Sequence, residues 1–211
     1  MSLRVRIFII VIILIMSITL IKKKVIDPQP IREIKTNTVY IGGSGKYFPK
    51  SNYSRYYIEF KDDKTYILMY DDSRGKDEDY FEDGGISRPG IKFFYGSYGI
   101  KNGNYILNME DRGKVEFKDA KAVKEKKINA FYRKRYKDRE KMTEKIFLTK
   151  KGNYVLGYSG NSLKSYDEQL PYYWLFNKSD IKKLPSSVEE FRKQFKMDKK
   201  AEQERLADQN R

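Results

Sequence analysis

The amino-acid sequence predicts a mainly β protein: an antiparallel meander or barrel-like domain with an N-terminal transmembrane helix and a C-terminal amphipathic helix. Three observations lead to this prediction. Residues 7–21 are uncharged and almost wholly apolar. Residues 38–178 contain short runs rich in Tyr, Phe, Ile and Val, separated by turn residues. Residues 186–195 carry apolar side chains at helical spacing after a capping signal.

These patterns divide the chain into four parts. They predict a membrane anchor at 1–24, a linker at 25–37, a β-barrel-like domain at 38–178, and a C-terminal helix with a charged tail at 179–211.

The first part is predicted to be a single-pass anchor that contacts the membrane through residues 3–21. Its uncharged run would span about 22 Å as a helix, less than the roughly 30 Å hydrocarbon core. Arg4, Arg6 and Lys22 have long stems that extend the usable length. No A-x-A-like cleavage site follows, and the weaker Ser17-Ile18-Thr19 leaves removal as a signal peptide, with a new end at Leu20, as the alternative.

The orientation of the anchor rests on two opposing arguments. A literal count of positive charges favours a cytoplasmic domain, because more Lys and Arg follow the apolar run than precede it. A short basic segment before an apolar run is nevertheless typical of a signal anchor, and long downstream domains cross largely regardless of charge. We therefore expect the domain outside the cytoplasm, at the cell membrane.

The linker contains Asp27-Pro28-Gln29-Pro30, and the strands follow it. The turn dipeptide Asn102-Gly103 predicts a tight hairpin, and Lys61-Asp62-Asp63-Lys64 and Asp111-Arg112-Gly113 are read as further turns. The predicted strands are 54–60, 65–70, 92–100, 104–109, 114–118, 128–136, 145–149, 153–158 and 170–176.

Two segments interrupt the strand pattern. Residues 71–83 hold seven acids and end before Gly84-Gly85, which predicts a long solvated loop. After Pro185, the overlapping capping boxes 186–189 and 187–190 predict an amphipathic helix. Beyond Met197 the sequence is so polar that we expect the helix to project into solvent and fray.

The residue inventory restricts the possible chemistry. The chain has no Cys and no His, which excludes disulfides, thiol nucleophiles, Cys/His zinc sites and catalysis by imidazole. Gly42 to Lys46 does not fit a phosphate-binding loop. The S-x-x-K pairs at 73–76 and 179–182 lack their companion motifs. Calcium binding by Asp71, Asp77 and Asp79 is an alternative to the solvated loop, but the EF-hand spacing is missing. We therefore predict no enzyme activity, no metal and no cofactor.

The net charge of +15 is concentrated in residues 112–151, where 16 Lys and Arg face 6 acids. The candidate polyanion-binding residues are Arg133, Lys134, Arg135 and Lys137, and the expected partner is an anionic lipid or wall polymer. In a strand, Arg133, Arg135 and Lys137 share one face and Lys134 the other. The alternative is a charge-protected edge strand. No nucleic-acid motif is present, so nucleic acid is not an expected partner.

Three segments together resemble small lipocalin-like, calycin-type domains of bacterial envelope proteins. They are Gly45-Lys46-Tyr47-Phe48, residues 57–66 (YIEFKDDKTY) and residues 96–107 (GSYGIKNGNYIL). The first is similar to the opening G-x-W of that family, with Tyr47 in place of Trp. The resemblance covers about residues 45–158 and implies an up-and-down barrel that binds small molecules, with no ligand residue carried over.

These observations predict a membrane-anchored, extracytoplasmic binding or accessory module of the cell envelope. Its further partner would be a small apolar ligand, which requires a cavity in the barrel, or an envelope protein. One alternative is a bitopic structural subunit of an envelope or secretion assembly, which predicts a filled barrel with an exposed patch. The other is a carboxylate-dependent wall-glycan hydrolase, which requires two facing carboxylates whose separation only folding decides.

Overall fold

Antiparallel strands make up most of the chain that the structure, a computed structural model, describes. The described residues are Ile12, 28–80, 88–137, 143–157, 166, 167, 169 and 172–209. Their strands are β1 (Val39–Ser44), β2 (Arg55–Phe60), β3 (Thr65–Asp72), β4 (Gly90–Lys101), β5 (Asn104–Glu116), β6 (Lys127–Ile128), β7 (Ala130–Arg135), β8 (Thr143–Leu148), β9 (Tyr154–Gly157), β10 (Tyr172–Phe176) and β11 (Lys196–Met197). Their helices are α1 (Ala120–Lys124), α2 (Val188–Lys193) and α3 (Lys199–Gln209), and a 3₁₀ turn, Asp77–Tyr80, follows β3.

Within these residues, eight strands close into a barrel. Neighbours follow the order β4-β3-β2-β1-β10-β9-β8-β5, and β5 also pairs with β4, which completes the ring. Every pair in the ring is antiparallel. Closure gives the backbone of each strand a hydrogen-bonding partner on both sides. The prediction of a mainly β, antiparallel barrel is confirmed.

The strand β7 lies outside the ring. β5 pairs with β8 over residues 105–108 and with β7 over residues 111–116. The β4–β5–β7 sheet therefore extends past the start of β8, beside one end of the barrel. We call this end the mouth. The opposite end, which holds the Asn102-Gly103 turn, is called the closed end.

The prediction missed β1 because its sequence, VYIGGS, has two adjacent glycines, which are depleted in strands. Close packing on both sides of β1 explains them. A Cβ on Gly42 would lie 3.2 Å from the Cβ of Tyr56, and one on Gly43 would lie 2.6 Å from the carbonyl oxygen of Tyr47. The glycines thus let neighbouring side chains and backbone pack directly on the strand.

The division of β5 at Asp111-Arg112-Gly113 was also wrong. These residues continue the strand, and the irregularity is instead a β-bulge opposite Tyr95 and Gly96. A bulge bends its strand and increases the local twist. β5 can thereby pair with β8 on one side of the bulge and with β7 on the other.

Both predicted hairpin turns are confirmed. Asn102 and Gly103 have positive φ angles of 51° and 76°, as a type I′ turn requires. Between β2 and β3, Lys64 has a φ of 64°, and the Asp63 carboxylate accepts the Thr65 N–H at 3.0 Å. Two of the three lipocalin-like segments therefore form hairpins. The third, residues 45–48, follows the first strand instead of opening it.

Large side chains fill the barrel from the closed end to its middle. The ring of Phe60 packs against those of Tyr98 and Tyr105, with centroids 5.0 and 4.9 Å apart. The fully buried aliphatic residues above them are Ile58, Leu68, Leu107, Ile146, Leu156 and Leu175.

A second core lies between the outer face of the barrel and the C-terminal segment. Phe191 of α2 stacks on Phe93 of β4 with ring centroids 5.1 Å apart. Gly113 of β5 leaves room for the helix, because a Cβ there would lie 3.1 Å from Val188 Cγ1. Since α2 covers this part of the wall, β4 and β5 bury apolar residues on both faces.

Of the two predicted capping boxes, the one at 187–190 forms the start of α2. The N–H of Glu190 donates to Ser187 Oγ at 3.1 Å, and the Glu190 carboxylate accepts the N–H of Ser186 at 2.7 Å. These contacts satisfy backbone donors that a helix start leaves free.

The single long C-terminal helix was wrong, because two short helices occupy its place. β11 separates α2 from α3 and pairs in parallel with β6. The chain beyond Met197 also contacts the rest of the protein: Ala201 is buried, and Lys118 pairs with Glu204 at 2.9 Å.

Residues 28–37, within the predicted linker, contact the closed end of the barrel. Ile31 donates its N–H to the Leu175 carbonyl at 2.8 Å and accepts the Tyr154 N–H at 3.1 Å. Its side chain is buried, and Ile34 packs against the interior core. These contacts extend the barrel unit to residues ahead of position 38.

The predicted anchor, residues 3–21, lies outside the described residues apart from Ile12. Among the helices that are described, none combines the length and the apolar character needed to cross a bilayer.

Residues 71–80 of the acidic segment form more contacts with the rest of the protein than a solvated loop would. Asp71 is buried in β3 and pairs with Arg74 Nε at 2.6 Å. The buried Tyr80 donates its hydroxyl to the Asp72 carbonyl at 2.9 Å. Residues 81–83 lie outside the described part of the chain.

Candidate functional site

A cavity of ≈470 Å³ opens at the mouth of the barrel, and we call it the mouth cavity. The end of β1, the start of β2 and the inner faces of β3 and β10 surround it. It is lined by Ser44, Tyr47, Phe48, Pro49, Lys50, Tyr53, Ser54, Tyr70 and Tyr173.

Three tyrosines form an aromatic floor below this cavity: Tyr70 and Tyr173, which line it, and Tyr56, which packs against both. The ring centroid of Tyr56 lies 4.5 Å from that of Tyr70 and 4.5 Å from that of Tyr173. Gly42 permits this arrangement, because its lack of a side chain leaves space beside Tyr56 and Tyr173. Tyr47, 83% exposed, and Tyr53, 56% exposed, add aromatic surface at the rim.

Four cations occupy the inner face of β4, β5 and β7 beside the mouth, and we call them the cationic wall: Lys92, Arg112, Lys114 and Lys134. In the strand register, Lys92 lies opposite Lys114 and Arg112 lies opposite Lys134. The face is the inner one because Arg112 is also opposite Phe94, which belongs to the barrel interior.

Each cation of the wall lies over an aromatic ring. The distances to the ring centroid are 5.3 Å from Lys92 to Tyr70, 5.7 Å from Arg112 to Phe94, 5.8 Å from Lys114 to Tyr132 and 4.8 Å from Lys134 to Tyr136. Such contacts favour a cation without neutralising its charge. A second cavity of ≈250 Å³ lies over β5 and β7, with Arg112, Lys114 and Lys134 among its lining residues.

The positive charge of the wall is only partly balanced. Lys114 pairs with Glu116 at 2.5 Å, whereas no carboxylate of the described residues forms an ion pair with Lys92, Arg112 or Lys134. Lys92 is half-buried, and its pKa is lowered by desolvation and by the neighbouring charges of Arg112 and Lys114, against a smaller opposing effect of Asp72.

A desolvated carboxyl group lies deeper in the barrel. Glu144 of β8 is opposite Leu107, which places it on the interior face, and burial raises its pKa to about 7. Glu144 in turn contributes to the raised pKa of both Tyr56 and Tyr66, although burial is the larger cause for each. The Tyr66 hydroxyl is buried and has no hydrogen-bond partner within the described residues.

The predicted polyanion-binding residues are divided between two faces of β7 and the chain that follows it. Arg133 pairs on the outer face with Asp111 and with Glu189, both at 2.5 Å. Arg135 lies 3.7 and 3.6 Å from the same two carboxylates.

Lys134 alone of this set joins the cationic wall, and Lys137 is exposed. The predicted alternation of the faces of β7 is thus present, but the four residues do not form one surface.

The sequence reasoning missed Lys92, Arg112 and Lys114. The sequence does contain a signal for this face. Residues two apart on a strand point to the same side, so Lys92 lies on the face of Phe94, and Arg112 lies on the face of Lys114. Arg112 was instead assigned to a turn.

The other candidate motifs engage different partners. Ser73 Oγ donates to the Asp71 carboxylate at 2.7 Å, and Ser179 Oγ accepts the Ile181 N–H at 3.1 Å. Asp77 accepts the N–H of Ala120 at 2.7 Å, whereas Asp71 accepts the Nε–H of Arg74 at 2.6 Å. Within the described ranges, acidic side chains form no group suited to holding a metal ion.

A second carboxyl group, Glu110 of β5, contributes with Glu144 to the raised pKa of the buried Tyr66. Burial raises the pKa of Glu144, and the carboxylate of Glu110 accepts a hydrogen bond from Ser97 Oγ at 2.7 Å.

Comparisons of the chain with protein-family models, with curated protein sequences and with solved structures give no match. The feature of the structure that bears on function is therefore the mouth of the barrel, where the aromatic floor lies beside the cationic wall.

Proposed function

We propose that the protein is a membrane-anchored, extracytoplasmic binding module of the cell envelope that holds a small molecule at the mouth of a lipocalin-like barrel. The observation that carries this proposal is the mouth cavity above the closely packed rings of Tyr56, Tyr70 and Tyr173. The anchor and the outside location rest on the apolar run and its basic flanks.

The size and lining of the cavity support a binding role. Its ≈470 Å³ is within the roughly 300–1,000 Å³ range of small-molecule pockets. Aromatic side chains provide large contact area at a low cost in side-chain entropy. The few polar groups at its edge, Ser44, Lys50 and Ser54, could orient a bound molecule.

The barrel interior between the aromatic floor and the closed end is filled by side chains, which supports binding at the mouth. Ile58, Leu107 and Leu175 are fully buried below the aromatic floor. A ligand would therefore rest on the floor instead of entering the full length of the barrel.

Photolabelling with benzophenone, a neutral diaryl ketone, tests the proposal. The full chain in phosphatidylcholine nanodiscs is irradiated with increasing probe, and labelled peptides are mapped by mass spectrometry. We expect saturable labelling of peptides that contain Tyr70 or Tyr173. Ser44→Trp should fill the cavity and lower this labelling about tenfold, because the probe and the indole cannot occupy the same space.

Leu148→Trp is the matched control, because Leu148 is exposed at the closed end. It should leave the labelling unchanged, and both variants should keep the parental melting temperature. Labelling that is unsaturable, or that Ser44→Trp does not reduce, would contradict a binding site at the mouth.

A further inference from the structure

We propose that the cationic wall is an anion subsite, so that the molecule bound at the mouth is an amphiphile with an acidic head and an apolar body. This inference rests on the proposed function for the apolar body and adds the acidic head. The phosphate, carboxylate or sulfonate group would contact Lys92, Arg112 and Lys134, and the apolar body would rest on the aromatic floor.

The first argument is the repulsion within the wall. Lys92 is directly opposite Lys114, and Arg112 is directly opposite Lys134. Like charges that face each other across paired strands destabilise a sheet. The wall has two such pairs on one face. A bound anion would therefore reduce the electrostatic repulsion that destabilises the protein when no anion is bound.

The second argument is the contrast between the two faces of the same strands. On the outer face, Arg133 and Arg135 share the carboxylates of Asp111 and Glu189. On the inner face, Glu116 pairs with Lys114 only. The chain thus neutralises its outer cations and leaves three inner cations of the described residues for a partner that is not part of the chain.

The third argument is partial burial. Lys92 and Arg112 are half-buried, whereas Lys134 is exposed, and desolvation together with its cationic neighbours lowers the pKa of Lys92. A charge that is removed from water is screened less by salt than an exposed one. An anion beside Lys92 and Arg112 would therefore interact more strongly with them than with an ordinary surface lysine.

The fourth argument is continuity with the mouth cavity. Lys92 Nζ is 5.3 Å from the ring centroid of Tyr70, and Tyr70 lines the cavity. An acidic group beside Lys92 is thus within a few bonds of an apolar group on the floor. This proximity favours a small amphiphile over a long polyanion, which would suit an exposed row of cations better.

The test compares benzophenone with 4-benzoylbenzoate, which differs from it by one carboxylate. With the full chain in phosphatidylcholine nanodiscs, half-saturation of labelling at the mouth should require about tenfold less of the acid than of the neutral probe. The triple variant Lys92→Gln, Arg112→Gln, Lys134→Gln should lose this preference and still bind benzophenone. Its melting temperature without probe should rise, because the repulsion is removed.

The matched control removes the same charge from exposed sites: Lys121→Gln, Lys124→Gln and Lys137→Gln. This control should retain the preference for the acid. Equal half-saturation by the two probes in the parent chain, or an equal loss in the control, would overturn the anion subsite while the mouth cavity stands. If neither probe labels the mouth, the proposed function itself fails.

Competition identifies the source of the acidic group. Decanoate and decyl phosphate should displace 4-benzoylbenzoate at concentrations at which inorganic phosphate and polyphosphate do not. Displacement by polyphosphate but not by the two amphiphiles would show a polyanion-docking surface and overturn the proposal. Displacement by inorganic phosphate alone would show a site for a free anion and would equally overturn it.

Discussion

Glu144 shows how one residue can make the stability of a barrel depend on pH. Its carboxyl lies on the interior face of β8, where burial moves its pKa from the ordinary 4.5 to about 7. Between these two pH values the folded protein keeps a proton that the unfolded chain has lost. The contribution of Glu144 to the free energy of unfolding therefore falls as the pH rises from about 4.5 to about 7, and this penalty is constant above that range.

We predict that Glu144→Gln raises the free energy of unfolding at pH 8 by up to about 3 kcal/mol and has little effect at pH 4. Glutamine is close to the protonated carboxyl in shape but cannot ionise. Urea unfolding of the full chain at the two pH values, followed by the fluorescence of Trp174, the single tryptophan, measures both differences.

The exposed Glu78 provides the control, since Glu78→Gln should change stability little at either pH. A Glu144→Gln variant that is less stable than the parent at pH 8 would mean that the carboxylate has a favourable partner in the folded protein.

At the scale of secondary-structure elements, the β4–β5 pair depends on the glycine at its bulge. A Cβ on Gly96 would lie 2.0 Å from the carbonyl oxygen of Asn108. Because that oxygen belongs to the backbone, relief requires the two strands to separate. We predict that Gly96→Ala lowers the free energy of unfolding by about 3 kcal/mol or more, as measured by urea unfolding.

Gly99, three residues further along the same strand, has no atom within 4 Å of an added Cβ. Gly99→Ala should be neutral or slightly stabilising, since alanine restricts the unfolded chain more than glycine does. Similar losses in both variants would show that the backbone freedom of glycine, and not the close approach at Gly96, determines the effect.

The two glycine-dependent features also mark what sequence patterns could and could not predict. Period-2 runs of aromatic and β-branched residues and the Asn102-Gly103 turn predicted most strands and their hairpins, because these signals are local. β1 was missed because its two glycines argue against a strand. The reason for them, the close approach of Tyr56 to Gly42 and of Tyr47 to Gly43, is visible only in the folded protein.

The candidate site follows the same division. The sequence identified the basic stretch that contains Arg133 and Lys134, since charge density is visible along the chain. It did not distinguish the neutralised outer face from the inner one, because Glu189 reaches Arg133 only after α2 packs on the barrel. Lys92 joins Lys114 only through the pairing of β4 with β5.

At the scale of the whole molecule, the chain enters the barrel at the end opposite the mouth. Ile31 is bonded to Leu175 and Tyr154 at the closed end. Residues 22–27 separate the proposed anchor from residue 28 and can span at most about 20 Å. The closed end should therefore face the bilayer, with the mouth about 20 Å further away across strands of six residues.

Energy transfer from a fluorescent label to an acceptor dye in the bilayer measures this orientation. The chain has no native cysteine, so Lys101→Cys at the closed end and Tyr47→Cys at the mouth each give a unique labelling site. We predict more efficient transfer from position 101 than from position 47. Equal efficiencies, or the reverse order, would contradict a mouth that points away from the membrane.

The pairing of β1 with β10 sets the order in which the chain can fold. Ile41 lies opposite Phe176, so the ring cannot close until the chain has been made beyond that residue. The β2–β3–β4–β5 meander has near neighbours in sequence and can form earlier, but as an open sheet with exposed edges. A nascent chain that ends before residue 172 would thus leave β1 and β9 as unpaired edges prone to aggregation, and chaperones would be needed longest at this stage.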